Sequence, residues 1–237
     1  MTKTAFVAIV GKPNVGKSSL LNKMLGQKIA IVSSKPQTTR TKIMGVLTKG
    51  ETQLVFTDTP GFHKAHNKLG EKMNEAVGDT VGGVDACLFL TEPRGELNEQ
   101  ELQLLEMFKK QKMPVILAIN KIDMINDKEE LFKRIVYLTS FYDFTAVVPV
   151  SATEGDHVDE LIDELDKLAF ESPHFFPDDT LTDQPERVLA AEIIREKILR
   201  LMDKEIPHGI AVAVEKMRER DDKDILDIDA TIYCERE

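Results

Sequence analysis

Stretches of apolar residues alternate with amphipathic stretches along roughly the first 170 residues. Residues 5–10 are almost continuously apolar, which is typical of a strand covered on both faces in a parallel sheet. Leu20, Leu21, Met24 and Leu25 then recur at helical spacing until Gly26, a residue type that commonly ends helices. Residues 43–48 and 52–57 flank a short polar turn and predict the two strands of an antiparallel hairpin.

The same alternation continues in the rest of this region. We predict strands at residues 86–91, 115–119 and 146–150, and helices that end near residue 81 or span residues 98–110, 128–138 and 158–169. Strands that alternate with helices imply right-handed crossovers and a sheet with helices on both faces. The sequence therefore predicts an α/β domain at residues 1–170, with a mostly parallel six-stranded sheet.

The pattern changes after residue 170. Residues 171–185 contain three prolines among acidic residues and no apolar period, which predicts a linker. Residues 186–237 carry a helical pattern followed by candidate strands at 210–217 and 226–234, which predicts a partial α+β domain. We expect Ile193, Ile198 and Leu199 of that helix to be core residues.

Composition narrows the class of protein. Of 237 residues, 42% are hydrophobic and 30% charged, which is ordinary for a globular protein with a sizeable core. The net charge of −10 argues against a nucleic-acid interface spread over the whole surface, so any such site must be local. Cys87 and Cys234 lie in separate predicted strands without metal-ligand spacing, which favours a reducing cytoplasm over a disulfide framework or zinc site.

A phosphate-loop motif, G-x-x-x-x-G-K-[ST], lies between the first predicted strand and the first predicted helix. The segment reads Gly11-Lys12-Pro13-Asn14-Val15-Gly16-Lys17-Ser18. We expect its backbone N–H groups and Lys17 to hold the phosphates, with Ser18 as a Mg²⁺ ligand and Ser19 beside the nucleotide. The alternative is a chance strand-turn-helix, expected in roughly one chain in a hundred of this length.

Asp58 follows the predicted strand that ends at residue 57, which brings a carboxylate to the same edge of the sheet as the phosphate loop. We expect Asp58 to hold Mg²⁺ through water. The following Thr59-Pro60-Gly61 is expected to sense a γ-phosphate through the N–H of Gly61. Taken alone, Thr-Pro-Gly is more typical of an ordinary turn.

Asn120, Lys121 and Asp123 follow the strand predicted at residues 115–119, and they indicate which base is bound. A carboxylate accepts hydrogen bonds from guanine N1–H and N2–H₂, whereas adenine offers no donor there. We expect Asn120 and the stem of Lys121 to brace the base. Ser151-Ala152-Thr153, after the strand predicted at 146–150, is expected to support the base edge, although it also suits a helix cap.

The polar stretch at residues 36–40 has neither a strand nor a helix pattern. A hydroxyl from this stretch could complete the Mg²⁺ shell when GTP is bound and release it afterwards. Without the neighbouring motifs, the same residues would suit an exposed polar loop.

These signals, in this order, resemble the translation-factor-related GTPases, and within them the Era-type family. The resemblance covers essentially the whole chain. It rests on three segments: the phosphate loop, Gln37-Thr38-Thr39-Arg40, and the sequence Glu-Ile-Ile-Arg-Glu-Lys at residues 192–197.

The resemblance implies Thr39 as a Mg²⁺ ligand, and a K⁺ ion held by Asn14 in place of an arginine finger. Phe62 stands where Ras-like proteins have a glutamine that orients water, which implies slow intrinsic hydrolysis. The implied catalytic set is Lys17, Thr39, Gly61 and Asn14.

The resemblance also implies a C-terminal KH domain of type II that binds small-subunit ribosomal RNA during assembly of the small ribosomal subunit. A KH domain needs a G-x-x-G loop, but Gly209 is the only glycine after the linker. We therefore expect residues 186–237 to be the first part of such a domain, with weak or missing RNA binding. The expected location is the cytoplasm, and peripheral contact with the inner face of the membrane stays open.

The sequence thus predicts a GTP-hydrolysing switch protein that uses GTP or GDP and Mg²⁺, and only the resemblance implies K⁺. One alternative is a nucleotide-gated RNA-binding assembly module in which hydrolysis is incidental. Another is a phosphate-loop kinase that uses ATP, which Asp123 opposes.

Overall fold

A computed structural model of the chain describes residues 1–33, 38–39, 42–58, 80–201, 210–221 and 223–234. The strands in these ranges are β1 (Lys3–Gly11), β2 (Ile43–Lys49), β3 (Thr52–Asp58), β4 (Ala86–Thr91), β5 (Val115–Asn120), β6 (Ala146–Val150), β7 (Phe170–Glu171), β8 (Ile210–Arg220) and β9 (Lys223–Cys234). The α-helices are α1 (Lys17–Leu25), α2 (Glu99–Gln111), α3 (Lys128–Thr139), α4 (Val158–Asp166) and α5 (Glu186–Leu201).

The main sheet has the strand order β2-β3-β1-β4-β5-β6. Strand β2 is antiparallel to β3, and the other neighbours in this order are parallel. The two-residue strand β7 pairs antiparallel with the start of β1. The predicted mostly parallel sheet is confirmed, and β7 adds a seventh strand to the six that were predicted. Because β1, β3, β4, β5 and β6 run in the same direction, their carboxyl ends meet at one edge of the sheet.

Helices cover both faces of this sheet, which explains why its strands are apolar at successive positions. On one face, Val7 and Ile9 of β1 pack with apolar residues of α1 and α4. On the other face, Ala8 and Val10 pack with apolar residues of α2 and α3. The continuous apolar run in β1 therefore supplies two separate core layers.

Most predicted boundaries lie within a residue or two of the observed ones. Helix α1 ends at Leu25, and the Gly26 that follows has a φ of 66°, in the left-handed region. Asn98 caps α2, and Glu101 completes a capping box. The predicted helix at 158–169 ends early, at Asp166, because the chain turns there to place Phe170 in β7.

The segment predicted as a linker lies along the β2–β3 side of the sheet. The buried Gln53 side chain accepts hydrogen bonds from the N–H groups of Phe175 (2.8 Å) and Phe176 (3.0 Å). Further along, the N–H of Val46 donates to the Leu181 carbonyl at 2.9 Å, and Thr182 Oγ1 donates to the carbonyl of Met44 at 2.7 Å. Apart from Glu171 in β7, the segment has an irregular backbone, and many of its polar groups are bonded to the sheet.

Helix α5 packs against β8, which forms an antiparallel hairpin with β9. The hairpin is consistent with a partial KH domain, while the predicted boundaries at residues 170 and 185 stay a prediction. The expected core of α5 is partly wrong: Leu199 is 3% exposed, but Ile193 is 39% exposed. Arg195 and Glu196 are buried instead, since α5 lies against polar backbone of the first domain.

Cys87 in β4 and Cys234 in β9 are both free thiols, which agrees with the absence of a disulfide framework. None of the described helices is both long enough and apolar enough to cross a membrane.

Candidate nucleotide-binding site

The phosphate loop connects β1 to α1 and contacts the ends of the neighbouring strands. Gly11 has a φ of 150°, and a Cβ atom there would lie 2.4 Å from the carbonyl oxygen of Leu90. Gly16 has a φ of 102°, and its Cβ would lie 2.2 Å from Nδ2 of Asn120. Both positions therefore require glycine, because backbone conformation and space each exclude a side chain.

The start of α1 has the features of an anion site. Gly16 precedes the helix and provides no side-chain cap, and the first turn contains no acidic residue. The first N–H groups of a helix have no partner within the helix, and the helix dipole adds positive potential there. Phosphate oxygens would satisfy both requirements.

Lys17 is buried at this helix start. Its Nζ donates to the carbonyl oxygens of Gly11 (3.1 Å) and Lys12 (3.0 Å). Burial lowers the pKa of Lys17 to about 8, although the Asp58 carboxylate opposes the shift. The ammonium group has only carbonyl acceptors within hydrogen-bond distance among the described residues, so a phosphate would stabilise its charged form.

Three oxygen-bearing side chains meet beside Lys17. Ser18 Oγ donates to Asp58 Oδ2 at 2.6 Å and lies 3.1 Å from Thr39 Oγ1. Asp58 is fully buried, and its Oδ1 has no hydrogen-bond partner among the described residues. Burial raises the pKa of Asp58 to about 6, although Lys17 and the hydrogen bond from Ser18 oppose the shift.

This cluster fits a Mg²⁺ ion. Magnesium prefers oxygen ligands and keeps several waters, so two hydroxyls and one carboxylate are a suitable protein contribution. A cation would also compensate the unpaired carboxylate oxygen, which is costly to bury alone. The three residues predicted as the Mg²⁺ site therefore lie together.

The residues expected to recognise the base lie at the ends of β5 and β6. Asp123 is exposed in a short 3₁₀ turn, and its Oδ1 accepts a hydrogen bond from Ser151 Oγ at 2.6 Å. Ser151 is fully buried, and its Oγ also accepts from the N–H of Glu154 at 3.2 Å. Ser151 thus holds the Asp123 carboxylate in one orientation at the mouth of the site.

Asn120 connects the loops after β5 and β6 to the phosphate loop. Its Nδ2 donates to the carbonyl oxygen of Val15 at 2.8 Å, and its Oδ1 accepts from the N–H of Ala152 at 3.0 Å. The side chain is 2% exposed, so water does not compete for these bonds. Three loops from β1, β5 and β6 are therefore joined through one amide.

Glu92 was missed by sequence reasoning. It follows β4 directly and forms ion pairs with Lys12 and, at 2.6 Å, with Lys121. Lys121 Nζ also donates to the carbonyl oxygen of Asn14 at 2.8 Å. The only available signal was position, because a charged residue at the end of a parallel strand belongs to the same edge as the motifs.

For the remaining predicted site residues, the structure gives a position in the chain fold but no specific role. Pro13, Asn14, Val15, Ser19, Ala152 and Thr153 lie in or next to the loops just described. Thr59, Pro60, Gly61 and Phe62 lie outside the described residues, so the γ-phosphate sensor stays a prediction. Asn14 has a φ of 61°, and its proposed K⁺ role also stays a prediction.

The chain is similar to known GTPases. Residues 6–121 match a family model described as "50S ribosome-binding GTPase". The chain is 48% identical over 237 residues to GTPase Era of Clostridioides difficile, covering 100% of this chain and 80% of that protein. It is 47% identical over 235 residues to GTPase Era of Alkaliphilus metalliredigens, covering 99% and 79% of the two proteins.

Two crystal structures are similar over the full length of the chain. One is Era in complex with MgGDPNP and nucleotides 1506–1542 of 16S ribosomal RNA, at 38% identity and a TM-score of 0.92. The other is a variant of Aquifex aeolicus Era bound to GDP·AlF₄⁻, at 38% identity and a TM-score of 0.91. This chain covers 80% of each of those chains.

Proposed function

Since this chain belongs to the GTPase Era family, we propose that it is a GTP-hydrolysing switch in assembly of the small ribosomal subunit. The observation that carries this proposal is the common edge of the sheet. There, the phosphate loop, Asp58 with Ser18, and Asp123 with Ser151 surround one site at the carboxyl ends of neighbouring strands.

In this proposal, guanine is bound between the loops after β5 and β6. The Asp123 carboxylate accepts hydrogen bonds from N1–H and N2–H₂, while Ser151 keeps it oriented. Hydrogen bonds from the Asn120 and Lys121 side chains hold these loops against the phosphate loop. An adenine base would leave the carboxylate without a donor, which disfavours ATP.

The phosphates are held by the N-terminal end of α1 and by Lys17, whose ammonium group exchanges carbonyl partners for phosphate oxygens. Ser18, Thr39 and Asp58 hold Mg²⁺, which neutralises charge on the phosphate oxygens when it is bound. The residues contribute positioning and electrostatic stabilisation, and we assign no general base. The Gly61 N–H and the Asn14–K⁺ contact remain part of the proposal.

The proposed macromolecular partner is small-subunit ribosomal RNA. The structural relative with a TM-score of 0.92 was crystallised with a 16S ribosomal RNA segment. A net charge of −10 requires the RNA-binding surface to be local. We place the protein in the cytoplasm on the basis of this role, and peripheral membrane contact stays an untested prediction.

Nucleotide titrations test the proposal. We expect GTP and GDP to bind in the presence of Mg²⁺ and ATP to bind far more weakly. Asp123→Asn should weaken GTP binding about 100-fold, since hydrogen bonds to a charged group contribute about 1.5–3 kcal/mol each. The same change should improve xanthine nucleotides, because an amide offers a donor to the xanthine oxygen.

Asp127→Asn is the matched control, because Asp127 caps α3 through the N–H of Glu129 at 2.8 Å. It should leave the preference for guanine unchanged. Equal affinities for ATP and GTP, or an unchanged preference in Asp123→Asn, would refute the assignment of the base site.

A further inference from the structure

The buried face of α5 is charged, and it contacts the first domain just before the stretch that contains Thr39. Glu196 is fully buried and accepts hydrogen bonds from Lys28 Nζ and from the N–H of Val32 at 3.0 Å. Arg200 Nη2 donates to Glu196 at 2.9 Å and to the Val32 carbonyl at 3.0 Å. Residues 28–32 are thus attached to a helix that lies beyond the linker.

Arg195 contacts the stretch with Thr39 itself. Its Nη2 donates to the carbonyl oxygen of Thr38 at 2.5 Å, and its side chain is 3% exposed. Glu192 fixes the guanidinium with two hydrogen bonds, to Nε at 2.9 Å and to Nη2 at 2.6 Å. Arg195 therefore has little freedom to leave the Thr38 carbonyl.

The carbonyl that Arg195 contacts belongs to the peptide bond that joins Thr38 to Thr39. Thr39 follows Thr38, and its Oγ1 lies 3.1 Å from Ser18 Oγ, which donates to Asp58. Fixing the Thr38 carbonyl restricts the backbone of Thr39, and so restricts where its hydroxyl can stand. The contact therefore acts on the position of a hydroxyl in the cluster.

We propose that Arg195 is a positioning residue for GTP hydrolysis: it holds the Thr38 carbonyl so that the Thr39 hydroxyl stays beside Ser18 and Asp58. The completeness of the Mg²⁺ shell then depends on α5, a helix of the second domain. This inference rests on the proposed function, since it takes Thr39 as a ligand in the GTP-bound state. It adds a residue from outside the GTPase domain to the machinery of that domain.

A purely structural link between the two domains explains the observations less well. Glu196 already attaches α5 to residues 28–32 through several hydrogen bonds. The contact between Arg195 and Thr38 is therefore not needed to attach α5, and it is better explained by its effect on Thr39.

The test compares Arg195→Ala with wild type in two measurements made well below the unfolding temperature. The first is the Mg²⁺ concentration that half-saturates binding of a non-hydrolysable GTP analogue, which we expect to rise about tenfold. The second is kcat for GTP, which we expect to fall about tenfold with a smaller change in KM. GDP affinity should stay within about twofold, because Thr39 contributes only when GTP is bound.

Three further variants make the result specific. Arg195→Lys keeps a donor and should recover part of both losses. Arg187→Ala removes an exposed arginine from the same helix and should match wild type. Lys28→Ala weakens the attachment of α5 through Glu196 without touching Thr38, and it should retain the Mg²⁺ dependence of wild type.

Two results would overturn the inference. One is an Arg195→Ala protein with wild-type Mg²⁺ dependence and kcat, whatever its stability. The other is an equal loss in Lys28→Ala and Arg195→Ala, which would reduce the role of Arg195 to general docking. Thr39→Ala separates this failure from failure of the proposed function: if it also behaves as wild type, the assignment of Thr39 to the Mg²⁺ site is wrong.

Discussion

Replacing Asn120 with alanine removes the amide that joins three loops of the nucleotide site. The side chain is 2% exposed, and both of its polar ends bond to backbone groups, the Val15 carbonyl at 2.8 Å and the Ala152 N–H at 3.0 Å. Alanine can replace neither bond. A buried carbonyl and a buried N–H would be left without partners.

The expected loss of stability follows from those two groups. Leaving a buried donor or acceptor unpaired costs about 1–3 kcal/mol, and a water that enters the vacated space recovers part of it. We therefore expect the free energy of unfolding to fall by about 2–4 kcal/mol. GDP affinity should fall at least about tenfold, because the base and phosphate loops lose their common anchor.

Urea unfolding of the nucleotide-free protein and calorimetric titration with GDP measure the two effects. Asn98→Ala is the matched control, because Asn98 caps α2 through the N–H of Glu101 at 2.8 Å. Asn98→Ala should lower the free energy of unfolding by about 1 kcal/mol and leave GDP binding unchanged. A loss below about 0.5 kcal/mol in Asn120→Ala, or unchanged GDP affinity, would show that the amide does not join the loops.

Three other predictions follow from packing and charge. Gly16→Ala should abolish nucleotide binding in a GDP titration, because the added Cβ would lie 2.2 Å from Asn120 Nδ2. The control variant Gly26→Ala should retain binding, since the added Cβ meets no atom within 4 Å. Gly45→Ala should lower the free energy of unfolding, measured in urea, by about 1–3 kcal/mol. The reason is that three side-chain methyl carbons lie 2.8–3.0 Å from the position of the added Cβ. Unchanged stability would contradict this packing. Burial raises the folded-state pKa of Asp58 from its ordinary value of 3.8 to about 6. Its contribution to the stability of the nucleotide-free protein is therefore present below about pH 4 and is lost as the pH rises through about 6. Urea unfolding should show wild type losing up to about 3 kcal/mol relative to Asp58→Asn across that window, and a constant difference would refute the shift.

Local signals in the sequence predicted most of the elements of the first domain. Apolar periodicity and the glycine after the first helix depend on residues close together in the chain, so they can be read without the fold. The site was predictable for a related reason: parallel strands end at one edge, so motifs that follow such strands must meet there. Asp58 and Asp123, 65 positions apart, were expected at one site on that ground.

The sequence by itself determined the alternating α/β pattern and the phosphate loop, and it predicted the guanine-recognition residues, because each is a short segment with its own physical signature. Tertiary structure alone decided the partners of isolated polar residues. Gln53 binds the backbone of the linker, Glu92 bridges two loops, and Arg195 reaches Thr38 from 157 residues away. Such contacts have no periodicity, since they arise only where the folded chain excludes water and a buried polar group must find a partner.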